Sequence, residues 1–503
     1  MAIAARAAAN VTMASAVGAM GFGYGFATLQ NPSWSLKQVI LATNGRLCNN
    51  SSSTMSFRSI VTDSRAVRAG DIFLTLSGDN FDGADFCGEA VKKGAAGVIT
   101  CRPLSTVPVP QIIVADTCKA LGDLAAWRRN IMRNLTVAAI TGSSGKTTVK
   151  DMTAAILERD GRVIKTRGNF NNLIGLPLSL LPVNFHHDYA VLEMGMNAPG
   201  EIARLTEIAD PDIACLNNIH PAHLAGLGDI KGVAAAKGEL LSYSRSSTTL
   251  VVNIDDPEVR RLIRGRRGRM VGFGRRRQAE VRGCYPKVWG ENGLAFTLKI
   301  GARQGRVRLR ALGEHNMLNG LAAAAIAHAA GIEFADIIVG LESFRPPDNR
   351  LQLMKLANGL RVINDSYNAN PASMRAALAA ARKISKGGKC AAVLGDMLEL
   401  GAFSAEAHGE LGGRVAKEGF DYLLAMGEFA GIMAAGAVKA GMDRKRIVTC
   451  AGAEEMNKAL SDLLGKGKIG TGDLLLIKGS RGMRMERFIE PLKLDEFAGR
   501  KGD

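Results

Sequence analysis

A strand, a glycine-rich loop and a helix follow one another without interruption in residues 135–157. The run L-T-V-A-A-I-T is typical of a buried strand, G-S-S-G-K-T-T forms the loop, and V-K-D-M-T-A-A-I-L has apolar residues at helical spacing. Glycines let backbone N–H groups face phosphate oxygens, and the helix directs the positive end of its dipole at them. This order therefore predicts a phosphate-binding site at the carboxyl edge of a parallel α/β sheet.

The loop departs from the general phosphate-loop pattern at one position. G-x-x-x-x-G-K-[ST] has its first glycine where this chain has Ile140. The rest fits the pattern, so we expect Lys146 to bridge the β- and γ-phosphates of ATP and Thr147 to offer its hydroxyl to Mg²⁺. The predicted nucleotide-binding residues are Thr141, Gly142, Ser143, Ser144, Gly145, Lys146, Thr147 and Thr148.

At 503 residues the chain is long enough for about three domains of roughly 100–200 residues each. The proline-bearing segment F-R-P-P-D-N-R at 344–350 marks one break. We predict an α/β fold of three domains: a small α/β substrate domain at 34–134, a central parallel-sheet ATP-binding domain at 135–345, and a Rossmann-like α/β domain at 346–503. Short apolar runs predict strands at 60–61, 72–76, 97–100, 189–192, 213–217, 249–253, 361–364, 391–394, 422–425, 447–449 and 474–477, and a helix at 84–93.

Charge is unevenly distributed along the chain. The 64 lysines and arginines exceed the 47 aspartates and glutamates, giving a net charge of +17, and ten arginines lie in residues 260–282. A cluster with so few aromatic residues is more typical of a solvated edge than of a nucleic-acid site, so no nucleic-acid partner is expected. The eight cysteines are scattered without a C-x-x-C pair, which indicates reduced thiols in a protein that is not secreted.

The N-terminal residues lack acidic side chains. No Asp or Glu precedes Asp63, and no charged residue lies between Arg6 and Lys37. Ala, Gly, Met and Ser dominate this run, which makes it a poor membrane-spanning helix, and we do not expect an integral membrane protein. Residues 1–33 are interpreted as a disordered leader or, alternatively, an organelle transit peptide.

Several polar side chains lie where predicted strands end. Glu193 directly follows the run 189–192, at the edge where parallel sheets bind ligands, so a metal-binding role is favoured for it. His220 and His223 follow another predicted strand, and a ligand role and a structural role are equally supported for them. Lys237 lies on an alanine-rich predicted helix, where spacing alone favours an ordinary solvated lysine.

Two further segments are rich in polar residues. In G-E-H-N-M-L-N, Asn316 is expected to cap a helix and Asn319 to project from the same face. Asp365 and residues 478–481 follow predicted strands, so they would line the crevice edge of the C-terminal sheet. Cationic groups there suit an anionic ligand, and ordinary loop polarity is the competing interpretation.

Eight motifs occur together in one order: T-G-S-S-G-K-T-T, G-N-F-N-N-L-I-G-L-P, L-E-M-G-M-N, N-N-I-H-P-A-H-L, G-E-H-N-M-L-N, N-D-S-Y-N-A-N-P, G-D-M-L-E-L-G and K-G-S-R-G-M-R-M-E. From Trp34 onward the chain resembles the Mur ligases, the ATP-dependent amide-forming enzymes of peptidoglycan synthesis. The loop of that family reads T-G-[TS]-x-G-K-[TS], so the resemblance also accounts for Ile140. D-S-Y-N-A-N-P and G-D-M-L-E-L-G indicate the member that adds a dipeptide.

The resemblance implies the composition of a catalytic centre. Lys146 and Thr147 would act on the ATP phosphates and Mg²⁺, with Glu193 and His223 in the metal shell. Lys237 would be carbamylated, which turns an ammonium into an anionic ligand. The expected catalytic residues are thus Lys146, Glu193, His223 and Lys237, and the expected metal-shell residues are Thr147, Glu193, His223 and Lys237.

The resemblance also implies the remaining contacts. Asn319, Arg350 and Asp365 match positions that hold the nucleoside or the hinge to the third domain. Asp63, Ser64, Arg65 and Asp82 match the first domain, which binds the UDP-sugar end of the substrate. Other substrate-binding residues are expected at Asn172, Tyr367, Asn368, Asn370, Lys478, Ser480 and Arg481. Asn364 replaces the more usual aspartate of the family and is given no role.

The implied activity is an ATP-dependent ligation. The tripeptide carboxylate of UDP-N-acetylmuramoyl-tripeptide would attack the γ-phosphate, and D-alanyl-D-alanine would attack the resulting acyl phosphate, giving the pentapeptide, ADP and phosphate. A folylpolyglutamate-type ligase and a basic nucleic-acid-dependent ATPase are the alternatives. A cytoplasmic monomer is expected, or a protein of the plastid stroma if residues 1–33 are a transit peptide.

Overall fold

A computed structural model of the protein describes residues 33–48, 54–78, 81–221, 224–385 and 387–493. The predicted leader lies outside the described residues except for Ser33. Within the described chain, each of three large sheets takes its strands from one continuous segment of the sequence. The domain boundaries near residues 134 and 345 stay a prediction. None of the helices described is long and apolar enough to cross a membrane.

The N-terminal segment forms a small α/β unit. Its elements are β1 (Trp34–Ser35), α1 (Leu36–Thr43), β2 (Arg46–Leu47), β3 (Ser56–Phe57), β4 (Ile60–Val61), β5 (Ile72–Leu74), β6 (Ser77–Gly78), β7 (Phe81–Asp82), α2 (Cys87–Lys92), β8 (Gly97–Thr100), β9 (Gln111–Ile113) and α3 (Thr117–Ile131). The main sheet has the order β2-β9-β8-β5-β4, parallel except for the pair β2–β9. The helix predicted at 84–93 is a 3₁₀ turn, Gly83–Phe86, followed by α2.

The central segment contains the phosphate loop. Its elements are β10 (Thr136–Thr141), α4 (Lys146–Leu157), β11 (Val163–Lys165), α5 (Gly175–Leu180), β12 (Tyr189–Glu193), α6 (Glu201–Ala209), β13 (Ile213–Leu216), α7 (Leu224–Leu227), α8 (Ile230–Tyr243), β14 (Thr249–Asn253), α9 (Pro257–Leu262), β15 (Met270–Gly274), β16 (Val281–Val288), β17 (Leu294–Ile300), β18 (Arg303–Leu309), α10 (His315–Ala329) and α11 (Phe334–Ser343). The sheet order is β11-β12-β10-β13-β14-β15-β16-β17-β18.

This sheet is not parallel throughout, as the sequence had led us to expect. The strands from β11 to β16 run parallel, whereas β17 and β18 return antiparallel as a meander. The segment L-A-F-T-L-K-I of β17 alternates between buried and partly exposed residues toward its end, the pattern of a strand with one covered face. The wholly parallel prediction was therefore wrong for these last two strands.

The C-terminal segment forms a second open sheet. Its elements are β19 (Gln352–Lys355), β20 (Arg361–Asp365), α12 (Pro371–Ser385), β21 (Cys390–Gly395), α13 (Ser404–Lys417), β22 (Tyr422–Met426), α14 (Ala430–Lys439), β23 (Ile447–Cys450), α15 (Ala453–Gly465), β24 (Leu474–Lys478) and α16 (Ile489–Lys493). The order is β19-β20-β24-β21-β22-β23, parallel except for the pair β19–β20. The α/β fold class is thereby confirmed.

Strand β10 is buried on both faces, which explains why residue 140 departs from the general phosphate-loop pattern. Val137 and Ala139 pack into the core on one side of the central sheet, and Ala138 and Ile140 into the core on the other. Ile140 is fully buried, so its position is that of a packed strand residue and not of a loop residue. The turn itself begins at Gly142, beyond the last strand residue, Thr141.

Helices α13 and α14 approach one another at backbone distance. A Cβ placed on Gly412 would lie 1.8 Å from the carbonyl oxygen of Met433, whereas a Cβ on Gly413 would come no closer than 3.6 Å to Gly436 O. The two neighbouring glycines of α13 thus differ in their surroundings although both are helical.

We expect Gly412→Ala to lower the unfolding free energy of the C-terminal segment by about 1–3 kcal/mol, because the added methyl forces the helices apart. Gly413→Ala is the matched control, and it should be neutral or stabilising by up to about 1 kcal/mol through helix propensity. Calorimetric unfolding of the two variants measures the difference, and equal transitions would contradict the close approach.

Candidate active site

A cavity of 1140 Å³ lies between the central and C-terminal segments. It is lined by the phosphate loop, by residues that follow β12, β13 and β14, by the start of α10, and by residues that follow β20 and β24. The carboxyl ends of two parallel sheets therefore face one space, as expected for ligand sites of such folds.

The loop has a conformation that glycine alone accommodates at Gly145. Its φ is +80°, and a Cβ there would lie 2.3 Å from Asn319 Oδ1. The N–H groups of residues 145–148, which begin α4, find no hydrogen-bond acceptor within the described chain. Unpaired N–H groups at the start of a helix bind anions readily.

The other side of the loop is fixed by the residues after β13. Ser143 N donates to Asn218 O at 3.0 Å, and Ser144 N donates to Asn218 Oδ1 at 2.9 Å. The Ser143 hydroxyl donates to the carbonyl of His220 at 2.8 Å. Two of the predicted phosphate-binding amides are therefore already engaged, and the anion-binding donors are those at the start of α4.

Glu193 is a buried carboxylate beside the loop. Its side chain is almost completely buried, and it accepts hydrogen bonds from the Thr147 hydroxyl at 2.7 Å and from Asn171 Nδ2 at 2.8 Å. In the part of the chain that the structure describes, no basic group forms an ion pair with it. A buried carboxylate with neutral partners favours a nearby cation, and hydroxyl and carboxylate oxygens are suited to Mg²⁺.

One lysine lies close to this carboxylate, and a second buried lysine lies close to the first. Lys146 Nζ donates to Gly142 O at 2.8 Å, and burial lowers its pKa, while the Glu193 carboxylate opposes that shift. Lys237 on α8 is 1% exposed, and burial together with the neighbouring Lys146 charge holds its pKa well below the ordinary value. The interpretation of Lys237 as a solvated lysine was therefore wrong.

Of the two histidines in N-N-I-H-P-A-H-L, the structure describes only His220. His220 lines the cavity, and burial lowers its pKa against the opposing charge of Asp256. His223 lies outside the described residues. Among those described, no three His, Cys, Asp or Glu side chains lie together as a metal site. Of the predicted metal shell, the structure describes Thr147, Glu193 and Lys237.

Two side chains of the C-terminal segment reach the loop directly. Arg350 Nη2 donates to the Thr147 hydroxyl at 2.9 Å, and its guanidinium lies 4.0 Å from the centre of the Tyr367 ring. Asn370 Nδ2 donates to the Ser144 hydroxyl at 3.1 Å. The predicted contacts Arg350, Tyr367 and Asn370 are thus brought to the nucleotide loop.

A buried ion pair forms the C-terminal wall of the cavity. Lys478 Nζ lies 2.6 Å from Asp365 Oδ2 and also donates to Asn368 O at 2.8 Å. Arg481 lines the cavity as well and pairs with Glu486 at 3.1 Å. Ser480 is buried behind this wall, where its hydroxyl accepts from Leu398 N at 2.9 Å, so its side chain does not line the cavity.

The family models match the chain in three parts. The Mur ligase middle domain covers residues 140–327, the catalytic domain of the Mur ligase family covers 56–129, and the Mur ligase glutamate ligase domain covers 349–481. A UDP-N-acetylmuramoyl-tripeptide–D-alanyl-D-alanine ligase of Bacillus subtilis is 34% identical over 460 residues, or 91% of this chain and 98% of that protein. The chain belongs to the Mur ligase family.

Solved structures give the same result. MurF from Acinetobacter baumannii superposes with a TM-score of 0.86 at 33% identity, covering 93% of this chain and 100% of that one. The MurF ligase from Thermotoga maritima in complex with ADP gives a TM-score of 0.77 at 29% identity, covering 88% and 98%. The three-segment architecture is therefore that of a Mur ligase.

The predicted residues of the N-terminal segment lie away from the cavity of this Mur ligase. Asp63 pairs with Arg65 at 2.9 Å, and Ser64 donates to Glu89 at 3.0 Å. Asp82 pairs separately with Arg102 at 2.9 Å. None of these four predicted residues is part of the cavity lining.

Sequence reasoning missed or misplaced several asparagines. Asn171, which was not predicted, donates to Glu193, whereas Asn172, predicted to bind substrate, lines the cavity and accepts from Gly175 N at 2.8 Å at the start of α5. Asn316 does not cap α10 through its side chain but donates to Leu312 O at 2.7 Å, and it accepts from Asn319 at 2.8 Å. The double asparagines in the motifs were a signal, but they did not tell which side chain turns inward.

We expect Gly145→Ala to weaken ADP binding at least tenfold, because the methyl would collide with Asn319 and the loop would lose its conformation. Gly200→Ala is the matched control, since Gly200 has a similar φ of +86° and nothing near its Cβ position. Isothermal titration with ADP compares the two, and equal affinities would contradict the structural role of Gly145.

Proposed function

We propose that this Mur ligase uses ATP to join D-alanyl-D-alanine to UDP-N-acetylmuramoyl-tripeptide, giving the UDP-linked pentapeptide, ADP and phosphate in peptidoglycan precursor synthesis. The observation that carries the proposal is the meeting of the phosphate loop, the buried Glu193 and the cationic side chains of the C-terminal segment in one cavity. The relatives that share at least a third of their residues over nine-tenths of the chain carry the name of this activity.

The loop binds and activates ATP in this proposal. The unpaired N–H groups at the start of α4 and the ammonium of Lys146 hold the phosphates, and the tripeptide carboxylate attacks the γ-phosphorus to form an acyl phosphate. Lys146 offsets the negative charge that develops on the transferred group. The known binding of ADP by the Thermotoga maritima relative supports nucleotide binding at this site.

Thr147, Glu193 and Lys237 fit a divalent cation, with His223 proposed as a further member. Glu193 is buried and has no cationic partner among the residues placed by the structure, and Lys237 becomes an anionic ligand once carbamylated. Bound Mg²⁺ would supply positive charge to the phosphate oxygens. The lowered pKa of Lys237 supports carbamylation, because it favours the neutral amine that is nucleophilic toward CO₂.

The C-terminal segment delivers the amine. Tyr367, Asn368, Asn370, Lys478 and Arg481 are proposed to hold D-alanyl-D-alanine, whose carboxylate suits the cationic wall; Ser480 supports this wall from behind. The contacts of Arg350 and Asn370 with the loop support a position of this wall beside the acyl phosphate, where it would limit access of water that hydrolyses the intermediate. Asp365 and Asn319 are proposed on the nucleoside side.

The N-terminal segment is proposed to hold the UDP end of the substrate through Asp63, Ser64, Arg65 and Asp82, with Asn172 nearer to the peptide. We further propose domains at 34–134, 135–345 and 346–503 and a monomeric protein. A cytoplasmic location and a plastid stroma location stay alternative predictions.

The ligation is tested with the purified chain. ADP release should require both UDP-N-acetylmuramoyl-tripeptide and D-alanyl-D-alanine, and Lys146→Ala should reduce it at least a hundredfold because a phosphate-binding charge is lost. Lys150→Ala, on the same helix but bonded to Thr166 O, controls for loss of a lysine. Release with glutamate and a folate alone, or stimulation by polynucleotide, would favour one of the alternatives over the proposal.

Carbamylation is tested on Lys237 separately. We expect a ¹³C-carbamate signal after exchange into ¹³C-bicarbonate, its absence in Lys237→Ala, and a loss of at least a hundredfold in ligation by that variant. Lys231→Ala, at an exposed position of the same helix, should keep both signal and activity. An intact signal in Lys237→Ala would show that another amine carries the carbamate.

A further inference from the structure

The arginine cluster takes no part in the ligation proposed above. Residues 254–282 contain ten arginines but only four acidic residues, so this stretch contributes a large share of the net charge of +17. Three of the arginines are tied into the fold or partly covered, and the others extend into solvent. The exposed members are Arg261, Arg264, Arg267, Arg269, Arg275, Arg276 and Arg277.

Four arginines of the cluster, three of them exposed, line one groove. Helix α9, the turn after it and the loop between β15 and β16 enclose an open groove of 780 Å³, lined by Arg260, Arg261, Arg264 and Arg276. Ile254 and Ile263 add apolar surface to the same lining. A groove of this size with cationic and apolar lining is within the range of small-ligand sites, which is about 300–1,000 Å³.

The groove keeps an excess of positive charge after all local pairs are formed. Arg261 pairs with Glu258, and Arg276 lies 3.8 Å from Asp255. The Asp255 carboxylate is also engaged by the backbone N–H groups of residues 275 and 276. The Arg264 guanidinium has no ion pair or side-chain hydrogen bond within the described residues, so its N–H groups are available to an anion in the groove.

Its position connects the groove to the nucleotide cavity. Pro257 lines both, and its neighbours Asp256 and Glu258 line the cavity. Asp256 accepts the N–H groups of Glu258 and Val259 and so caps α9, which keeps the helix between the two spaces in place. The groove and the cavity are therefore adjacent, on two sides of the same helix.

We propose that this groove is a second phosphate-binding site, which captures the polyphosphate of a nucleotide and concentrates it beside the cavity. Two N–H groups of one guanidinium can donate to two oxygens of one phosphate, and the apolar lining accommodates a nucleoside. The scarcity of aromatic side chains argues against stacking of single-stranded nucleic acid. Binding at the groove does not depend on the ligase reaction, whereas its effect on turnover rests on the proposed function.

Inorganic tripolyphosphate is the probe, titrated calorimetrically into the full chain in metal-free buffer. We expect two bound equivalents, of which Gly145→Ala removes the one at the loop and the triple variant R261Q/R264Q/R276Q removes the other. The triple variant R133Q/R306Q/R446Q changes the charge equally at exposed positions elsewhere and should keep both. A single equivalent in the unmodified chain, or equal titrations of the two triple variants, would overturn the second site.

Kinetics separate the nucleotides that share this chemistry. At low salt, R261Q/R264Q/R276Q should lower kcat/KM for ATP at least fivefold without changing kcat, and the difference should shrink as salt is added. A fall in kcat/KM for the UDP substrate alone would assign the groove to that nucleotide. If poly(U) or anionic phospholipid vesicles bind to the groove and tripolyphosphate does not, the groove is a macromolecule-binding surface and the proposal is wrong. If tripolyphosphate binding is intact but the chain catalyses no ligation, only the proposed function is rejected.

Discussion

The contact between Thr147 and Glu193 is the constraint on which the site depends. Strands β10 and β12 pair in parallel with Ile140 opposite Glu193, so the carboxylate lies beside the start of the loop because of strand register. A shift of the register by one residue would turn Glu193 to the other face of the sheet. Burial of β10 on both faces makes such a shift unfavourable, and the packed Ile140 is part of what fixes it.

The same threonine links the loop to the C-terminal segment. Its hydroxyl donates to Glu193 and accepts from Arg350, so it connects the two sides of the cavity. Glu291 pairs with Arg361 at 3.1 Å and Glu314 pairs with Lys383, and both pairs also join the two segments. These contacts are polar, and an interface of this kind separates more easily than an apolar one, as an enzyme that must admit two substrates and release a product requires.

Much of the fold follows from sequence because its strands are short, apolar and bounded by turn residues. Strands β4, β8 and β14 have the predicted bounds, and the other strands with predicted bounds differ by one or two residues. The antiparallel strands β17 and β18 were not predicted, since nothing in a parallel α/β pattern requires them. Contacts such as Arg350–Thr147, which joins residues 203 positions apart, depend on how two domains meet and so are beyond local pattern.

The role of a side chain within a motif depends on the direction in which it points, and the residue type does not specify that direction. Asn171 and Asn172 are chemically equivalent, yet one turns to Glu193 and the other to a helix end. The sequence around Lys237 is typical of a surface lysine, but the helix places its side chain in the interior beside Lys146. Burial disfavours the charged form of both lysines, and the charge of Lys146 disfavours it further at Lys237. In the proposed function, phosphate would balance the charge of Lys146, and a carbamate on Lys237 would replace a buried amine by an anionic ligand for a metal ion. The proposal therefore accounts for two buried lysines that the free state alone does not explain.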